Sequence, residues 1–401
     1  MPTNLFEIST GRMTLALARR GRGLIVERFG VDGGSWLHAA QASGLFALHM
    51  DGARYTAAEL EFVEVIPVEA EAGVTHRVYR FTGPGFVVDQ HVKAYAGSGL
   101  LEMWPVVRAE GEKACRVTRL DSISLAVAPA DYEVLHFSGD WGREYEPART
   151  RLQEGLVLES RSGRSSKGNH PWCALFAPGG EVLSASVAWS GNWALRFGPL
   201  PGGGFELGGG LHDCGFFKDL RPGETMEAPP VVLALGGALD EVTQALARVG
   251  RAHWYPRNRL SARLPVEWNH WWPYRDIEID EPTFEANVVA AAEQGMEVCT
   301  LDAGWFGPSD PGSDWYEYRG DWHLVNERRF PSGIRHLSDF THARGMSFGL
   351  GQGPPGRGAP GLRRYPRRGA PGLRLFWQPG RTGMGLPDPL PPDPRLQLRL
   401  D

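Results

Sequence analysis

The sequence predicts a multi-domain β plus α/β chain: a large antiparallel β-sandwich, the opening of a parallel α/β unit, and a tail that builds no core. Three observations carry this. Short runs that alternate apolar and polar residues, punctuated by Gly and Pro, fill residues 1–255. Strand-like and helix-like segments alternate over 256–350. Composition then breaks at 351–401, where Pro, Gly and Arg take over. With 401 residues, 42 % hydrophobic, and 14 Trp, 18 Phe and 10 Tyr, the chain has apolar material for two domains of about 100 to 200 residues each.

In the first region, runs such as GLIVERFG, HRVYRF, GFVVDQHVKAY, EVLSASVAWSGNWALRF and EAPPVVLAL read as strands of an antiparallel sandwich. Near Asp240 the pattern turns helical, and DEVTQALARVGRAHW reads as a linker helix leading out of it. From Pro265 strands and helices alternate. Residues 266–268 form a short strand, Asp280-Glu281-Pro282 opens a helix that Gly295 stops, and residues 296–301 form a largely apolar strand. After a long loop over 302–329, Phe330-Pro331-Ser332-Gly333 opens a second helix, closed by Gly345, and residues 346–350 form a third strand. This βαβαβ order starts a parallel sheet.

Composition also limits the partners. A formal charge of −5, from 42 Lys+Arg against 47 Asp+Glu, argues against nucleic acid and for a neutral partner. Cys115, Cys173, Cys214 and Cys299 show neither C-x-x-C spacing nor the density of a disulfide scaffold, so neither a metal nor a redox cofactor is expected. Apolar stretches fall short of the ~20 residues of a membrane span, and MPTNLFEISTGRMTLALARR lacks the pattern of a leader. The expectation is a soluble, cytoplasmic protein with no membrane partner.

Ligands of parallel α/β units gather at the carboxyl ends of the strands. There the sequence places Asn269, His270, Trp271 and Trp272 after the first strand, and Asp302, Ala303, Gly304, Trp305 and Phe306 after the second. Indole faces beside a carboxylate suit a sugar, whose apolar ring face stacks while its hydroxyls donate to the acid. Taken singly, the same residues fit a loop-capping Asp and core tryptophans equally well.

LPVEWNHWWPYRDIEIDEPTFEANVVAAAEQGMEVCTLDAGWFG, from Leu264, and RGDWHLVNERRFPSGIRHLSDFTHARGMSFGL downstream resemble the start of the catalytic barrel of glycoside hydrolase family 36 α-galactosidases. Upstream, SRSGRSSKGNHPWCALF, GEVLSASVAWSGNW and RPGETMEAPPVVLAL resemble that family's N-terminal β-supersandwich. The resemblance implies domains at 1–255 (supersandwich with linker helix) and 256–350 (an incomplete (β/α)8 TIM barrel of about three strands), while composition marks 351–401 as a non-native or disordered tail. The resemblance further implies a retaining hydrolase of terminal α-galactosyl groups, acting on α-galactoside oligosaccharides without a cofactor and using two aspartates. A homo-oligomer of the family type is less expected of a shortened barrel. Carried over residue by residue, Trp271 walls the galactose site and Asp302 binds galactose hydroxyls. Asp321 and Trp322 match the family's Gly-Asp-Trp, with a loop-ordering or substrate-contacting role, and Trp305 packs. Where the commoner family motif has a second acid, this chain has Ala303.

The family motif next requires Trp and a Glu-Pro-Glu-like segment, whereas Leu350 is followed by Gly351-Gln352-Gly353-Pro354-Pro355. Residues 352–401 hold 11 Pro, 9 Gly and 9 Arg and no Lys, Glu, Val or Ile. Pro, Gly and Arg have GC-rich codons, so this segment reads as out of frame; a genuine Arg/Pro/Gly tail is the competing reading. Asp388 and Asp393 lie among prolines that exclude a barrel strand. The expectation is that both catalytic aspartates are absent and the chain is inactive. The alternative from another class is a non-catalytic carbohydrate-binding or assembly module.

Overall fold

The computed structural model describes residues 5–31, 34–152, 155–258, 262–310, 312–318 and 320–351. Apart from Gly351, the tail expected at 351–401 lies outside the described residues. The chain divides into two compact units between His253 and Trp254.

The first unit is antiparallel throughout. A three-stranded sheet (Leu5–Ser9, Met13–Arg20, Gly23–Val31) accompanies one seven-stranded and one ten-stranded sheet. Alternation along each strand sends one set of side chains inward. Val88, Val92 and Ala94 of Phe86–Tyr95 and Leu101, Met103 and Val107 of Leu100–Ala109 come from the ten-stranded sheet. Val117, Ile123 and Leu125 of Cys115–Val127 come from the seven-stranded sheet, and all join one continuous core. The predicted sandwich is therefore present.

Two local readings change. The apolar run at 181–197 is two strands rather than one: Val182–Val187 lies in the ten-stranded sheet and Trp193–Pro199 in the seven-stranded sheet. The Ser190-Gly191-Asn192 break between them carries the chain from one layer to the other. The linker helix covers 240–254 as read, as an α-helix over Leu239–Val249 continued by a π-turn over Gly250–Trp254, but its packing differs. Its buried Val242, Ala245 and Val249 belong to a face that packs on strands Val231–Gly236 and Val182–Val187, so the helix lies against the sandwich instead of leaving it.

The second unit holds three parallel strands, Glu267–Asn269, Val298–Leu301 and Ser347–Leu350, with the second in the centre. Helix Glu281–Glu293 starts where the sequence signals it. Asp280 accepts from the Thr283 N–H at 2.9 Å, Pro282 occupies the first turn, and Gly295 adopts φ +77° just past the end. Helix Gly333–His342 follows the long loop. Phe284 and Val288 from the first helix meet Cys299, Leu301 and Phe348 from the strands and Ile334 and Leu337 from the second helix in a separate core. The third strand crosses the second closely at Gly349, where a Cβ would fall 2.0 Å from Thr300 Oγ1. Among the described residues no helix is long and apolar enough to cross a membrane, a statement that does not bear on β-barrels.

Candidate functional site

Parallel pairing points the carboxyl ends of all three strands the same way, so Asn269, Leu301 and Leu350 end side by side. The residues immediately beyond them form a linked group. The Asn269 carboxamide ties two of the predicted site residues together. Its Nδ2 donates to Asp302 Oδ2 at 2.9 Å, and its Oδ1 accepts from the Trp271 N–H at 2.8 Å. The other carboxylate oxygen of Asp302 accepts from the Ala303 N–H at 2.7 Å.

His270 sits beneath them, fully buried. Its Nδ1 accepts from the Asp302 N–H at 2.9 Å, and its Nε2 lies 3.1 Å from the Ala303 carbonyl oxygen. An accepting Nδ1 and a donating Nε2 make this the neutral Nε2–H tautomer. Burial lowers the His270 pKa, outweighing the opposing pull of the Asp302 charge, which keeps the imidazole neutral. The ring therefore sets the turn at Asp302 and Ala303 without supplying a counter-charge.

The aromatics divide into two groups. Trp271 is half-buried and meets Trp315 edge-on with centroids 5.4 Å apart, while the Trp315 N–H donates to Asp276 Oδ2 at 2.7 Å. Trp305 is buried, and its Nε1 donates to the Gly351 carbonyl oxygen at 3.0 Å. Trp322 packs edge-on against Phe306 at 4.5 Å and lies 6.3 Å from Trp305. Asp321 enters through its backbone: its N–H donates to the Tyr318 carbonyl and its carbonyl accepts from the Leu324 N–H. Asp302 and Trp271 are thus joined directly through Asn269, whereas Asp321 and Trp322 belong to the loop packed around Trp305 and Phe306.

That loop is organised by Arg329, which reading the sequence did not single out. The guanidinium is buried and donates to three main-chain carbonyls, those of Asp276 (2.9 Å), Gly304 (3.0 Å) and Ser313 (2.6 Å). Burial lowers its pKa, with the nearby Asp276 and Asp310 charges opposing. Asn326 assists, donating to the Pro308 carbonyl through Nδ2 and to the Trp305 carbonyl through its N–H. No periodicity marks such residues, because their partners lie far away in sequence.

A carboxylate held from two sides and an indole set by the same carboxamide can accept sugar hydroxyls and cover an apolar ring face. Elsewhere in the unit, Glu281, Glu285 and His336 bring ligand-type atoms within 4.8 Å of one another. Their contacts are committed to bracing the helices: Glu281 accepts from Ser332 Oγ and N–H, and Glu285 Oε1 lies 2.6 Å from His336 Nε2.

Comparison with known proteins finds matches along both units. Residues 40–220 match the glycosyl hydrolase family 36 N-terminal domain, and residues 225–355 match melibiase. The chain is 32 % identical over 267 residues to the α-galactosidase AgaA of Geobacillus stearothermophilus, covering 62 % of this chain and 35 % of AgaA. It is 28 % identical over 256 residues to the α-galactosidase Mel36A of Lactobacillus acidophilus, covering 61 % of this chain and 34 % of Mel36A. The chain spans about a third of the length of these curated relatives. The crystal structure of AgaA superposes with a TM-score of 0.74 at 22 % identity, covering 86 % of this chain and 56 % of that one. The supersandwich region thus matches the glycosyl hydrolase family 36 N-terminal domain and the barrel-start region matches melibiase, in that order along the chain.

Proposed function

We propose that this chain carries the sugar-recognising end of an α-galactosidase, with α-galactoside oligosaccharides as the substrate class. Asp302 accepts hydroxyls of a terminal galactose, Trp271 walls the ring, and Asp321 and Trp322 order the loop around them. No residue of this chain is assigned the nucleophile or the acid/base role, so hydrolysis by the chain alone is not expected. The observation that carries the reading is the Asn269 carboxamide, which fixes the Asp302 carboxylate and the Trp271 backbone at once. Variants of AgaA have been crystallised with raffinose, stachyose and 1-deoxygalactonojirimycin, which supports the choice of sugar. Ala303, lacking a carboxylate, leaves Asp302 as the acceptor at this strand end.

Calorimetric titration of the full chain with 1-deoxygalactonojirimycin tests the reading. Saturable binding in the wild type and at least about a tenfold loss in Asp302→Asn, the effect of ~1.4 kcal/mol, are expected. Equal binding by the two proteins would refute it.

A further inference from the structure

We propose that the first unit carries a second saccharide-binding site, unconnected to Asp302, in a cleft between the edge strands of the two large sheets, and that its ligand is a short, neutral oligosaccharide. The cleft has a volume of about 420 Å³, within the range of about 300–1,000 Å³ of small-molecule sites. Three pieces of chain meet there. Strand Ala53–Thr56 ends the seven-stranded sheet, strand Glu61–Val68 ends the ten-stranded sheet, and Arg22 lies in the turn that joins Met13–Arg20 to Gly23–Val31.

The lining is held by its own contacts. The Arg22 carbonyl accepts from the Phe62 N–H at 2.8 Å, and Arg22 Nε donates to the Glu59 carbonyl at 2.8 Å. Glu59 turns back on the chain, its Oε2 accepting from the Thr56 N–H at 2.9 Å and from the Thr56 hydroxyl at 3.0 Å. Arg54 is paired with Glu206 at 2.5 Å. Tyr55 is half-buried and meets Phe86 edge-on with centroids 5.1 Å apart. Phe86 reaches this position only because residue 83 is glycine, since a Cβ there would collide with the ring.

The groups left over select the ligand. Arg22 Nη1 and Nη2, the Glu61 carboxylate and the hydroxyls of Tyr55 and Thr82 line the cleft with no hydrogen-bond partner among the described residues. The guanidinium only donates, the carboxylate only accepts, and the two hydroxyls do both. Sugar hydroxyls also do both, so one oligosaccharide serves all of them, while Leu60 and the Tyr55 ring offer its C–H groups an apolar surface. Two arginines and two glutamates line the cleft, which leaves no net charge to attract an ion. A small zwitterion would pair with Arg22 and Glu61, but exposed ion pairs contribute little, and both hydroxyls would stay unused.

The choice of raffinose as probe rests on the proposed function; the location of the cleft does not. Full-length chain is titrated with raffinose and followed by the amide chemical shifts of Glu61, Thr82 and Gly83, alongside Asp302→Asn, Tyr55→Phe and the double variant Arg22→Ala with Glu61→Ala. Arg22 and Glu61 are exposed, so the double variant folds, and Tyr55→Phe keeps the ring against Phe86. The expected result is saturable shifts in the wild type, with the same affinity in Asp302→Asn, about threefold weaker in Tyr55→Phe and about tenfold or more weaker in the double variant. Absence of saturable shifts in the wild type, or equal affinity in the wild type and the double variant, overturns the site. Shifts raised by free glycine and not by raffinose overturn the ligand class. Loss of these shifts in Asp302→Asn overturns the site too, and leaves the proposed function standing.

Discussion

The two units order their strands by different means. In the sandwich, Leu100–Ala109 is paired on both sides, by Phe86–Tyr95 and by Val231–Gly236, and its inward side chains enter a core shared by both large sheets. The outer edge strand Arg143–Arg151 carries alternating charges and Pro147, which discourage pairing with another chain. In the second unit the parallel strands are three or four residues long, and among the described residues the first and third each have one neighbour. Ser347–Leu350 reads SFGL and bears no charge at all. What fixes the ends of these short strands is side chain-to-backbone bonding by Asn269, His270 and Arg329. The sandwich is held by its ladders and core; the candidate site is held by a few polar residues that each serve several backbone groups.

The largest test of that contrast is Arg329→Met. It leaves the carbonyls of Asp276, Gly304 and Ser313 without their donor, at about 1–3 kcal/mol for a buried unsatisfied group. Urea unfolding followed separately in each unit should show the second losing about 3 kcal/mol or more and the sandwich unmoved. Equal loss in both, or none, would break the distinction.

Gly351→Trp is expected to act more locally. A Cβ at this position would lie 2.9 Å from Asp302 Cα and 3.0 Å from Oδ1, too close for the backbone as it stands. An overpacking cost of about 1–3 kcal/mol and displacement of Asp302 should follow, read as chemical-shift changes at Asp302 and Ala303. Unperturbed shifts would mean that the strand end accommodates a side chain readily.

The smallest effect belongs to the sandwich. His76 Nε2 and His91 Nδ1 are 3.0 Å apart, and His91 stacks on Trp104 at 4.8 Å. Burial pushes the His76 pKa down to about 3, with the like charge of His91 adding to it, and burial pushes that of His91 down to about 4. Both stay neutral in the folded protein while the unfolded chain takes up protons below about pH 6.5. Stability of the first unit should therefore fall as pH drops from 6.5 towards 4, by about 1–2 kcal/mol after solvent screening of these partly exposed rings. His76→Gln with His91→Gln should flatten that slope; a steeper acid loss in the double variant would contradict the assignment.

Much of the second unit was legible because its signals are local. Asp280 caps, Pro282 occupies a first turn, and Gly295 and Gly345 end helices, each within a few residues of the feature it marks. The strand-end placement of Trp271 and Asp302 followed from the same signals. In the sandwich, alternation marked strands but not sheets: nothing within EVLSASVAWSGNWALRF says that its two halves join different layers. The Asn269–Asp302 and Arg329–Gly304 bonds were likewise hidden, because each spans 25 or more residues, the first across a parallel strand pair and the second across a long loop, and a single sequence displays neither approach. The left-handed backbone of Tyr145, at φ +59°, had no sequence signal either, since Asn, Asp or Gly, rather than Tyr, ordinarily marks such a position.

The central claim is that the strand ends form an ordered recognition surface even though the parallel sheet has few strands. The most direct measurement is native-state hydrogen exchange at the amides of Trp271, Asp302 and Ala303, whose donors go to Asn269, His270 and the Asp302 carboxylate. All three should exchange far more slowly than the exposed loop amides of the same unit, and Asn269→Ala should release Trp271 first. Exchange as fast as in those loops, or no response to Asn269→Ala, would contradict the account.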